Sequence, residues 1–378
     1  MTRRWLIVGA GLTGATLAER IASVLGDPVT VVERRPHIAG NAHDALNEAG
    51  ILVHMYGPHI FHTNSEAVWD YLQRFSAWRP FEYRALAVVD GQHVPVPFNL
   101  TSIEMLFGAA EAARLSQLLI EQYGLGAKVP VLKLREGGGE LSALGEFVYQ
   151  KVFRGYTFKQ WSLLPEQLLP SVTARVPIHV SRDDRYFQDR YQAIPADGYT
   201  RLVAAMLDQP GIEVRLNTDF FALSQTGEGA AAWDRLIFTG PIDEFFGHRY
   251  GPLPYRATRF EHTTLDKAWA LPGPALNFPD EAVPYTRVTE MKRLTGQTAA
   301  ATTIVSEYPG PHVPGETEPS YPVPTEASQV LHARYRALAE ERPDVLFCGR
   351  LGDYRYYNMD QAVAAALALF EKVIRPAA

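Results

Sequence analysis

Three glycines near the N-terminus, Gly9, Gly11 and Gly14, have the G-x-G-x-x-G spacing of a dinucleotide-binding turn. Gly9 permits the tight turn, Gly11 lets a pyrophosphate approach the backbone, and Gly14 allows a helix to pack closely on a strand. Glu33 follows about twenty residues later, where a carboxylate accepts hydrogen bonds from a ribose. The pattern predicts a dinucleotide site, and the alternative is a glycine-rich turn in an ordinary α/β unit.

The residues after Glu33 indicate which dinucleotide binds. Arg34 and Arg35 suit a 2′-phosphate, but the Glu33 carboxylate would repel that phosphate, so NADP is disfavoured. The glycine-asparagine turn within residues 36–41 is typical of flavoproteins, in which the chain doubles back over the pyrophosphate and the ribityl chain. We therefore predict FAD as the cofactor.

Two histidines, His59 and His62, stand three residues apart in the segment 57–63. A metal site needs more ligands, and neither a cysteine nor a third histidine lies nearby in the sequence. No metal is predicted. Two alternatives stay open for these histidines: hydrogen-bonded loop residues, or a histidine beside a flavin ring.

Aromatic residues and arginines recur through the middle of the chain, as in Tyr156, Trp161, Arg175, Tyr186 and Arg287. Together they suit a sugar nucleotide, because a base stacks on aromatic rings and guanidinium forks bind a diphosphate in bidentate fashion. For any one of these residues alone, the alternative is a solvent-facing arginine or a core aromatic residue.

The elements that position these residues follow from the hydrophobic spacing. Apolar runs predict strands at 5–8 and 29–32 around a helix over 15–25, and further strands of the same sheet at 212–216, 235–240 and 345–348. Helices are predicted over 65–84, 102–125, 140–154 and 361–374, a hairpin over 88–94, and strands within 175–190 and 254–306.

The composition bounds the class of protein. With 378 residues, 47% apolar and 21% charged, the chain resembles a soluble globular enzyme of two or three domains. The net charge of −6 disfavours nucleic-acid binding, and the single cysteine, Cys348, excludes a disulfide framework. No apolar run reaches the length of a membrane span. We expect a cytoplasmic protein.

Eight motifs occurring in this order resemble those of the bacterial UDP-galactopyranose mutase family, over nearly the whole chain. They are Gly-Ala-Gly (9–11), Gly-Pro-His-Ile-Phe-His-Thr (57–63), Val-Pro-Phe-Asn (96–99), Tyr-Thr-x-Lys-Gln-Trp (156–161), Arg-x-Pro (175–177), Asp-Asp-x-Tyr-Phe (183–187), Pro-Tyr-Thr-Arg (284–287) and Gly-Arg-Leu-x-x-Tyr-x-Tyr (349–356). Each motif is modest evidence alone, whereas the ordered set is specific.

The resemblance and the spacing together predict an α/β fold with a discontinuous, Rossmann-like FAD-binding domain, an inserted helical bundle and an antiparallel β-sheet domain. The FAD-binding domain comprises 1–64, 200–250 and 335–378, the helical domain 65–84 and 100–154, and the sheet domain for the substrate 85–99, 155–199 and 251–334. The expected partner is a UDP-sugar, and a homodimer or higher homo-oligomer is expected.

The resemblance also implies roles for individual residues. The catalytic residues are His59, Arg175 and Arg287. The substrate-binding residues are Asn99, Phe153, Tyr156, Trp161, Arg175, Tyr186, Arg287, Tyr321, Tyr356 and Asn358. The cofactor-binding residues are Gly9, Gly11, Gly14, Glu33, Arg34, Asn41, His59, Arg350 and Met359. A mobile lid is expected near residues 162–175.

The implied reaction is the ring contraction of UDP-galactopyranose to UDP-galactofuranose in cell-surface polysaccharide biosynthesis, with N5 of reduced FAD attacking the sugar C1 and no net redox change. Three alternatives stay open: a mutase for a related nucleotide sugar, a redox flavoenzyme of the amine oxidase type, and a non-catalytic binder of the prenylated-GTPase escort type. The sequence departs from the family pattern at Asn358, Val152 and Ala39, and Asn358 replaces an aspartate.

Overall fold

A parallel sheet of five strands forms the base of the molecule. The computed structural model describes residues 2–174, 176–226 and 233–377. The strands run in the spatial order Ile212–Arg215, Val29–Val32, Trp5–Val8, Arg235–Phe238 and Val345–Phe347, all parallel. The first two predicted strands are matched residue for residue, and the other three begin where predicted and are one or two residues shorter.

Helices cover this sheet, as a parallel sheet requires. The helix Leu12–Arg20 begins directly after Gly11 and continues as a π-helical turn over Ile21–Leu25. It ends at Gly26, whose φ of 70° suits glycine. Its apolar face packs against the helices Tyr199–Leu207 and Met359–Leu369. The predicted helix therefore exists and starts three residues earlier.

A second, mostly antiparallel sheet has seven strands. Their spatial order is Tyr321–Pro322, Tyr255–Leu265, Thr302–Pro311, Arg287–Glu290, Ala275–Asn277, Ala85–Val89 and Gln92–Val96. The last two strands form the predicted hairpin. Its turn residues, Asp90 and Gly91, both have positive φ, which matches the twist of the flanking strands.

Helices account for much of the chain between residues 66 and 161. They are Glu66–Gln73, Leu100–Leu106, Ala109–Tyr123, Val131–Glu136 and Gly139–Val148, followed by a π-helical turn Tyr149–Arg154 and the helix Gly155–Trp161. The helix predicted over 65–84 ends at Gln73. Trp78–Pro80 is instead a strand that pairs with Tyr191–Pro195, and Pro80 cannot donate to a helix.

The segment 155–199, predicted as part of the sheet domain, contains both helices and strands. Beyond the helix Gly155–Trp161 it contains the short helices Pro165–Gln167 and Pro170–Thr173. Within residues 176–190 the structure has the two-residue strand Ile178–His179, so the strand character predicted there is confined to these two residues. The Asp183 carboxylate accepts from the backbone N–H of Arg185 and binds its guanidinium, which favours a local turn over a strand. The division into domains stays a prediction.

The remaining elements lie outside the two large sheets. They are the short helix Gly40–Ala42, Asp44–Leu46, Leu52–His54, Phe61–Thr63, Lys128–Val129, Phe220–Ser224, Ile242–Phe245, Met291–Thr295, Glu326–Glu340, Gly349–Gly352, the π-helical turn Phe370–Ile374 and the final turn Arg375–Ala377. Within the described ranges, no helix combines the length and the apolar character needed to cross a membrane.

Candidate active site

A cavity opens at the carboxyl ends of the central parallel strands, where α/β sheets bind their ligands. We call it the dinucleotide cavity. Its lining includes all the predicted cofactor residues: Gly9, Gly11, Gly14, Glu33, Arg34, Asn41, His59, Arg350 and Met359. The fold thus brings together residues from both ends of the chain, although their roles stay predictions.

Close backbone contacts shape the floor of this cavity. A Cβ atom added at Gly14 would lie 2.0 Å from the Gly9 carbonyl oxygen, so only glycine fits there. A Cβ atom at Gly40 would lie 2.9 Å from Gly11 Cα, because the turn over residues 39–40 crosses the first turn. The first amides of the helix after Gly11 lack intrahelical acceptors and favour an anion. This cradle fits a pyrophosphate.

The acid and the two arginines of the sequence motif are engaged with one another and with neighbours. Glu33 is buried and accepts from the Ala10 N–H at 3.1 Å and from Arg35 Nε at 3.2 Å. Arg34 pairs with Glu318. Both guanidinium groups are therefore already paired, Arg34 with Glu318 and Arg35 with Glu33. This arrangement suits a ribose hydroxyl beside Glu33 and is unfavourable for a 2′-phosphate.

A second cavity, of about 480 Å³, adjoins the first. We call it the aromatic cavity. It contains most of the predicted substrate residues: Phe153, Tyr156, Trp161, Tyr186, Arg287, Tyr321, Tyr356 and Asn358. Three residues, His59, Arg350 and Met359, line both cavities. A ligand group held at these three residues would therefore face both cavities.

His59 is held in one orientation at this junction. Its ring Nδ1 lies 2.8 Å from the Gly57 carbonyl oxygen, so Nδ1 carries the proton and Nε2 is an acceptor. Its backbone N–H donates to His54 Nδ1 at 3.0 Å, and its carbonyl accepts from the Tyr199 hydroxyl at 3.1 Å. Burial lowers the pKa of His59 to about 3 and that of His54 to about 4. Both rings are neutral at pH 7.

His62 points to different partners. Its Nδ1 lies 2.9 Å from an Asp189 carboxylate oxygen, and its ring stacks on Phe187 with 3.6 Å between centroids. In the part of the chain that the structure describes, no three His, Cys, Asp or Glu side chains are grouped as metal ligands. The two histidines of the motif therefore serve separate contacts.

Arg287 is one of the charged residues that line the aromatic cavity. Glu307 binds its Nε at 2.7 Å and its Nη2 at 2.9 Å in a bidentate pair, and this carboxylate raises the Arg287 pKa against the opposing effect of burial. Tyr83 and Tyr156 lie within electrostatic range of Arg287. Burial raises the pKa of Tyr83 to about 12, so its hydroxyl stays protonated.

Aromatic rings from three separate segments meet beside the junction. The Tyr321 and Tyr356 rings lie 4.9 Å apart, and the Trp161 ring lies 5.8 Å from Tyr356. The Arg350 guanidinium sits 4.8 Å from the Tyr321 ring centre, a cation–π distance. It also donates to the Tyr357 carbonyl at 2.8 Å, which fixes the cation between the two cavities.

Asn99, Asn358 and Arg175 differ from the other predicted substrate residues. Asn99 is buried outside both cavities: its side chain accepts from the Ser102 N–H and donates to Asp184, because it caps the helix Leu100–Leu106. The structure therefore does not bring Asn99 to the substrate residues. Asn358 lines the aromatic cavity, and its N–H donates to Gln361 Oε1 at the start of a helix. Arg175 lies outside the described residues.

The expected lid, residues 162–175, contributes Leu168 and Val172 to the aromatic cavity. Glu166 anchors its start to the helical part through Arg135 at 2.8 Å and the Tyr149 hydroxyl at 2.9 Å. The Leu169 N–H donates to the Pro324 carbonyl on the opposite side. The segment thus bridges two parts of the molecule, and its mobility stays a prediction.

Sequence reasoning missed several residues of the aromatic cavity, notably Glu307, Tyr83, Asn277 and Phe187. Glu307 had one usable signal, an acidic residue within an otherwise apolar and polar-neutral strand. Its partner could not be read from the sequence, because the antiparallel register sets Arg287 directly opposite Glu307.

Two sequence profiles and several known proteins match this chain. A sequence profile described as UDP-galactopyranose mutase matches residues 151–356, and one described as an NAD(P)-binding Rossmann-like domain matches residues 7–75. A probable UDP-galactopyranose mutase of Klebsiella pneumoniae is 34% identical over 96% of this chain and 92% of its own length. A dTDP-fucopyranose mutase of Escherichia coli is 32% identical over 98% of each.

The fold is also similar to that of a solved structure. A reduced UDP-galactopyranose mutase crystal structure superposes with a TM-score of 0.74 over 100% of this chain and 94% of that chain, at 17% identity. At this level of identity, the likeness establishes the fold, and the sequence matches carry the family relationship.

Proposed function

Because this chain belongs to the UDP-galactopyranose mutase family, we propose that it interconverts UDP-galactopyranose and UDP-galactofuranose with FAD as its cofactor. The observation that carries this proposal is the shared wall of the two cavities at His59, Arg350 and Met359. A flavin ring in one cavity and a sugar in the other would meet there.

FAD fits the dinucleotide cavity through the crossed glycine turns, the helix N-terminus and the buried acid. Gly9, Gly11 and Gly14 would hold the pyrophosphate, and Glu33 would bind the adenosine ribose. When bound and reduced, FAD would supply a nucleophilic nitrogen, N5, for chemistry at the sugar C1 without net consumption of reductant.

The residues of the chain bind and orient the substrate. Arg287 would contact the diphosphate, since a guanidinium fork matches phosphate oxygens and Glu307 fixes its orientation. Trp161, Tyr321 and Tyr356 would surround the sugar and the diphosphate and exclude water from the junction. The role of Arg175 as a second diphosphate contact rests on the family resemblance alone.

His59 would act at the junction as a neutral hydrogen-bond acceptor. Its Nδ1 proton is directed to Gly57, which leaves the Nε2 lone pair for a group in the cavities. A neutral ring places no positive charge beside the cofactor, because the low pKa of His59 excludes the imidazolium at pH 7.

The test is incubation of the dithionite-reduced protein with UDP-galactopyranose, UDP-galactofuranose and dTDP-fucopyranose, followed by chromatography. We expect interconversion of the two UDP-sugars without consumption of the reductant. Faster turnover of dTDP-fucopyranose would reassign the substrate, an outcome that the Escherichia coli relative makes worth testing. Reductant or oxygen consumed in step with product would instead indicate a redox flavoenzyme.

Reconstitution with 5-deaza-FAD tests the cofactor chemistry separately. This analogue has carbon in place of N5, so we expect it to bind in the dinucleotide cavity and to give no mutase activity. Full turnover with the analogue would contradict a role for N5 while leaving the assignment of the reaction intact.

A further inference from the structure

Lys159, in the motif over 156–161, has no role in the proposed function, although it makes an unusual set of contacts. Lys159 lies on the helix Gly155–Trp161, which we call the aromatic helix because it carries Tyr156 and Trp161. Its half-buried ammonium reaches the loop 278–285, which connects the strands Ala275–Asn277 and Arg287–Glu290. We call this segment the hairpin loop.

The Lys159 ammonium is surrounded by carbonyl oxygens of the hairpin loop. Lys159 Nζ donates to four backbone carbonyl oxygens, those of Phe278 at 2.5 Å, Asp280 at 2.8 Å, Val283 at 2.9 Å and Tyr285 at 2.9 Å. An ammonium has three N–H donors, so four acceptors saturate it. Among the described side chains none forms an ion pair with Lys159, and its hydrogen bonds are made to backbone oxygens.

Two further contacts hold the aromatic helix in the same place. A Cβ atom added at Gly155 would lie 2.1 Å from the Pro279 carbonyl oxygen, so the first residue of the helix touches the hairpin loop directly. At the other end, buried Arg256 donates to the carbonyl oxygens of Gln160 at 2.8 Å and of Lys159 at 3.2 Å. The helix is therefore fixed at both ends.

The parts that Lys159 joins are two walls of the aromatic cavity. The aromatic helix supplies Tyr156 and Trp161, while the hairpin loop is flanked by Asn277 and Arg287, and all four residues line the cavity. Asn277 and Arg287 are also register partners across the two strands. A change in how the helix meets the loop would alter the distance between the aromatic wall and the Arg287 guanidinium.

We propose that Lys159 is a positioning residue for the nucleotide diphosphate, which locks the aromatic helix onto the hairpin loop and sets the spacing between Tyr156, Trp161 and Arg287. This role rests on the proposed function, since it assumes a nucleotide diphosphate in the aromatic cavity. Lys159 acts through these three residues and does not itself contact the ligand.

The test measures UDP binding to the FAD-loaded protein by calorimetry, together with FAD content and melting temperature. In Lys159→Met the side chain keeps its length and loses its donors, and we expect UDP affinity to fall at least tenfold with the FAD content unchanged. Lys159→Arg retains the charge, but its planar fork cannot reach four converging carbonyls, so an intermediate loss is expected.

Arg154→Met is the matched control. Arg154 pairs with Glu281 at 2.7 Å, so it joins the same helical segment to the same loop, but through an ion pair in which both side chains are 42% exposed. We expect its UDP affinity to stay within twofold of wild type. An equal loss in Arg154→Met would overturn the specific role of Lys159.

Unchanged UDP affinity in both Lys159 variants would also overturn the proposal. If Lys159→Met does not fold, Lys159→Arg decides the outcome, because it preserves the charge and most of the side-chain volume. A wild-type protein that binds no UDP would contradict the proposed function itself, so the two failures are distinguishable.

Discussion

The floor of the dinucleotide cavity is built of backbone from two crossed glycine turns, over residues 9–14 and 39–40, whereas the aromatic cavity is built of side chains from several distant segments. Gly9, Gly11 and Gly14 shape the first through close approaches of main-chain atoms. Tyr156, Arg287 and other residues far apart in the sequence shape the second. The dinucleotide cavity should therefore be intolerant of added atoms, whereas the aromatic cavity should be sensitive to the loss of a charge or the displacement of an element.

The largest effect is expected where the backbone leaves no space. Gly14→Ala places a Cβ atom 2.0 Å from the Gly9 carbonyl oxygen, so the turn must deform. We expect colourless protein with a lower melting temperature, measured by flavin absorbance and thermal unfolding. In Gly11→Ala the added Cβ atom would lie 3.7 Å from Gly40 Cα, which is an ordinary contact distance. We therefore expect this variant to fold normally and to lose only the bound cofactor.

Gly108→Ala serves as the control for these glycine variants. Gly108 precedes a helix with φ of −62°, and a Cβ atom there has no heavy atom within 4 Å, so we expect wild-type colour and stability. A fully yellow Gly14→Ala protein would remove the distinction between a backbone-built and a side-chain-built cavity.

In the aromatic cavity the largest loss is expected at Arg287. Arg287→Ala removes the proposed diphosphate contact and leaves Glu307 without its guanidinium partner. We expect a loss of transition-state stabilisation of about 2–5 kcal/mol, as for one broken partner of a buried charge pair. The measurement is kcat/KM with UDP-galactopyranose, and wild-type kinetics would refute the placement.

A double variant sharpens this result. In Arg287→Ala alone, the Glu307 carboxylate would also repel the diphosphate. Arg287→Ala combined with Glu307→Ala removes that repulsion, so we expect the double variant to recover part of the activity lost in the single one. A further loss in the double variant would show that Glu307 serves more than the orientation of Arg287.

The buried ring of His54, which accepts from the backbone N–H of His59, predicts a pH dependence of stability. Burial holds the pKa of His54 at about 4, whereas the unfolded chain protonates this histidine near 6.5. The unfolded state therefore binds more protons below pH 6.5, and the free energy of unfolding falls as the pH drops from 6.5 towards 4. This pKa shift of His54 corresponds to a loss of at most about 3 kcal/mol in the free energy of unfolding.

His54→Asn tests this prediction, because its amide oxygen can still accept the His59 N–H and does not titrate. We expect a shallower dependence of urea-unfolding free energy on pH between 6.5 and 4. His93→Asn, at an exposed position of the hairpin, should leave the slope as in wild type. Equal slopes in His54→Asn and wild type would refute the prediction.

The smallest effect is expected for Arg34 at the rim of the dinucleotide cavity. Its pair with Glu318 is exposed, with side chains 44% and 46% accessible. Because exposed ion pairs contribute about 0–1 kcal/mol, Arg34→Ala should weaken FAD retention by less than about fivefold. A much larger loss, measured by flavin release in dilution, would show that side chains also hold the cofactor.

The dinucleotide site and the parallel sheet could be predicted from the sequence because their signals are local. The strands Trp5–Val8 and Val29–Val32 and the glycines between them lie within one short stretch, and backbone sterics link each glycine to its turn. The apolar runs of these two strands are buried on both faces, so they can be recognised without knowledge of their neighbours.

The tertiary structure alone decided the rest of the aromatic cavity. The antiparallel register places Glu307 opposite Arg287. Asn99 caps a helix, and its side chain lies outside the aromatic cavity. The fold also brought Lys159 to the carbonyl oxygens of a loop about 120 residues away. A residue's type and spacing determine which chemistry it can perform, whereas its partners depend on how distant segments pack, because contacts between remote residues leave no periodic pattern in the chain.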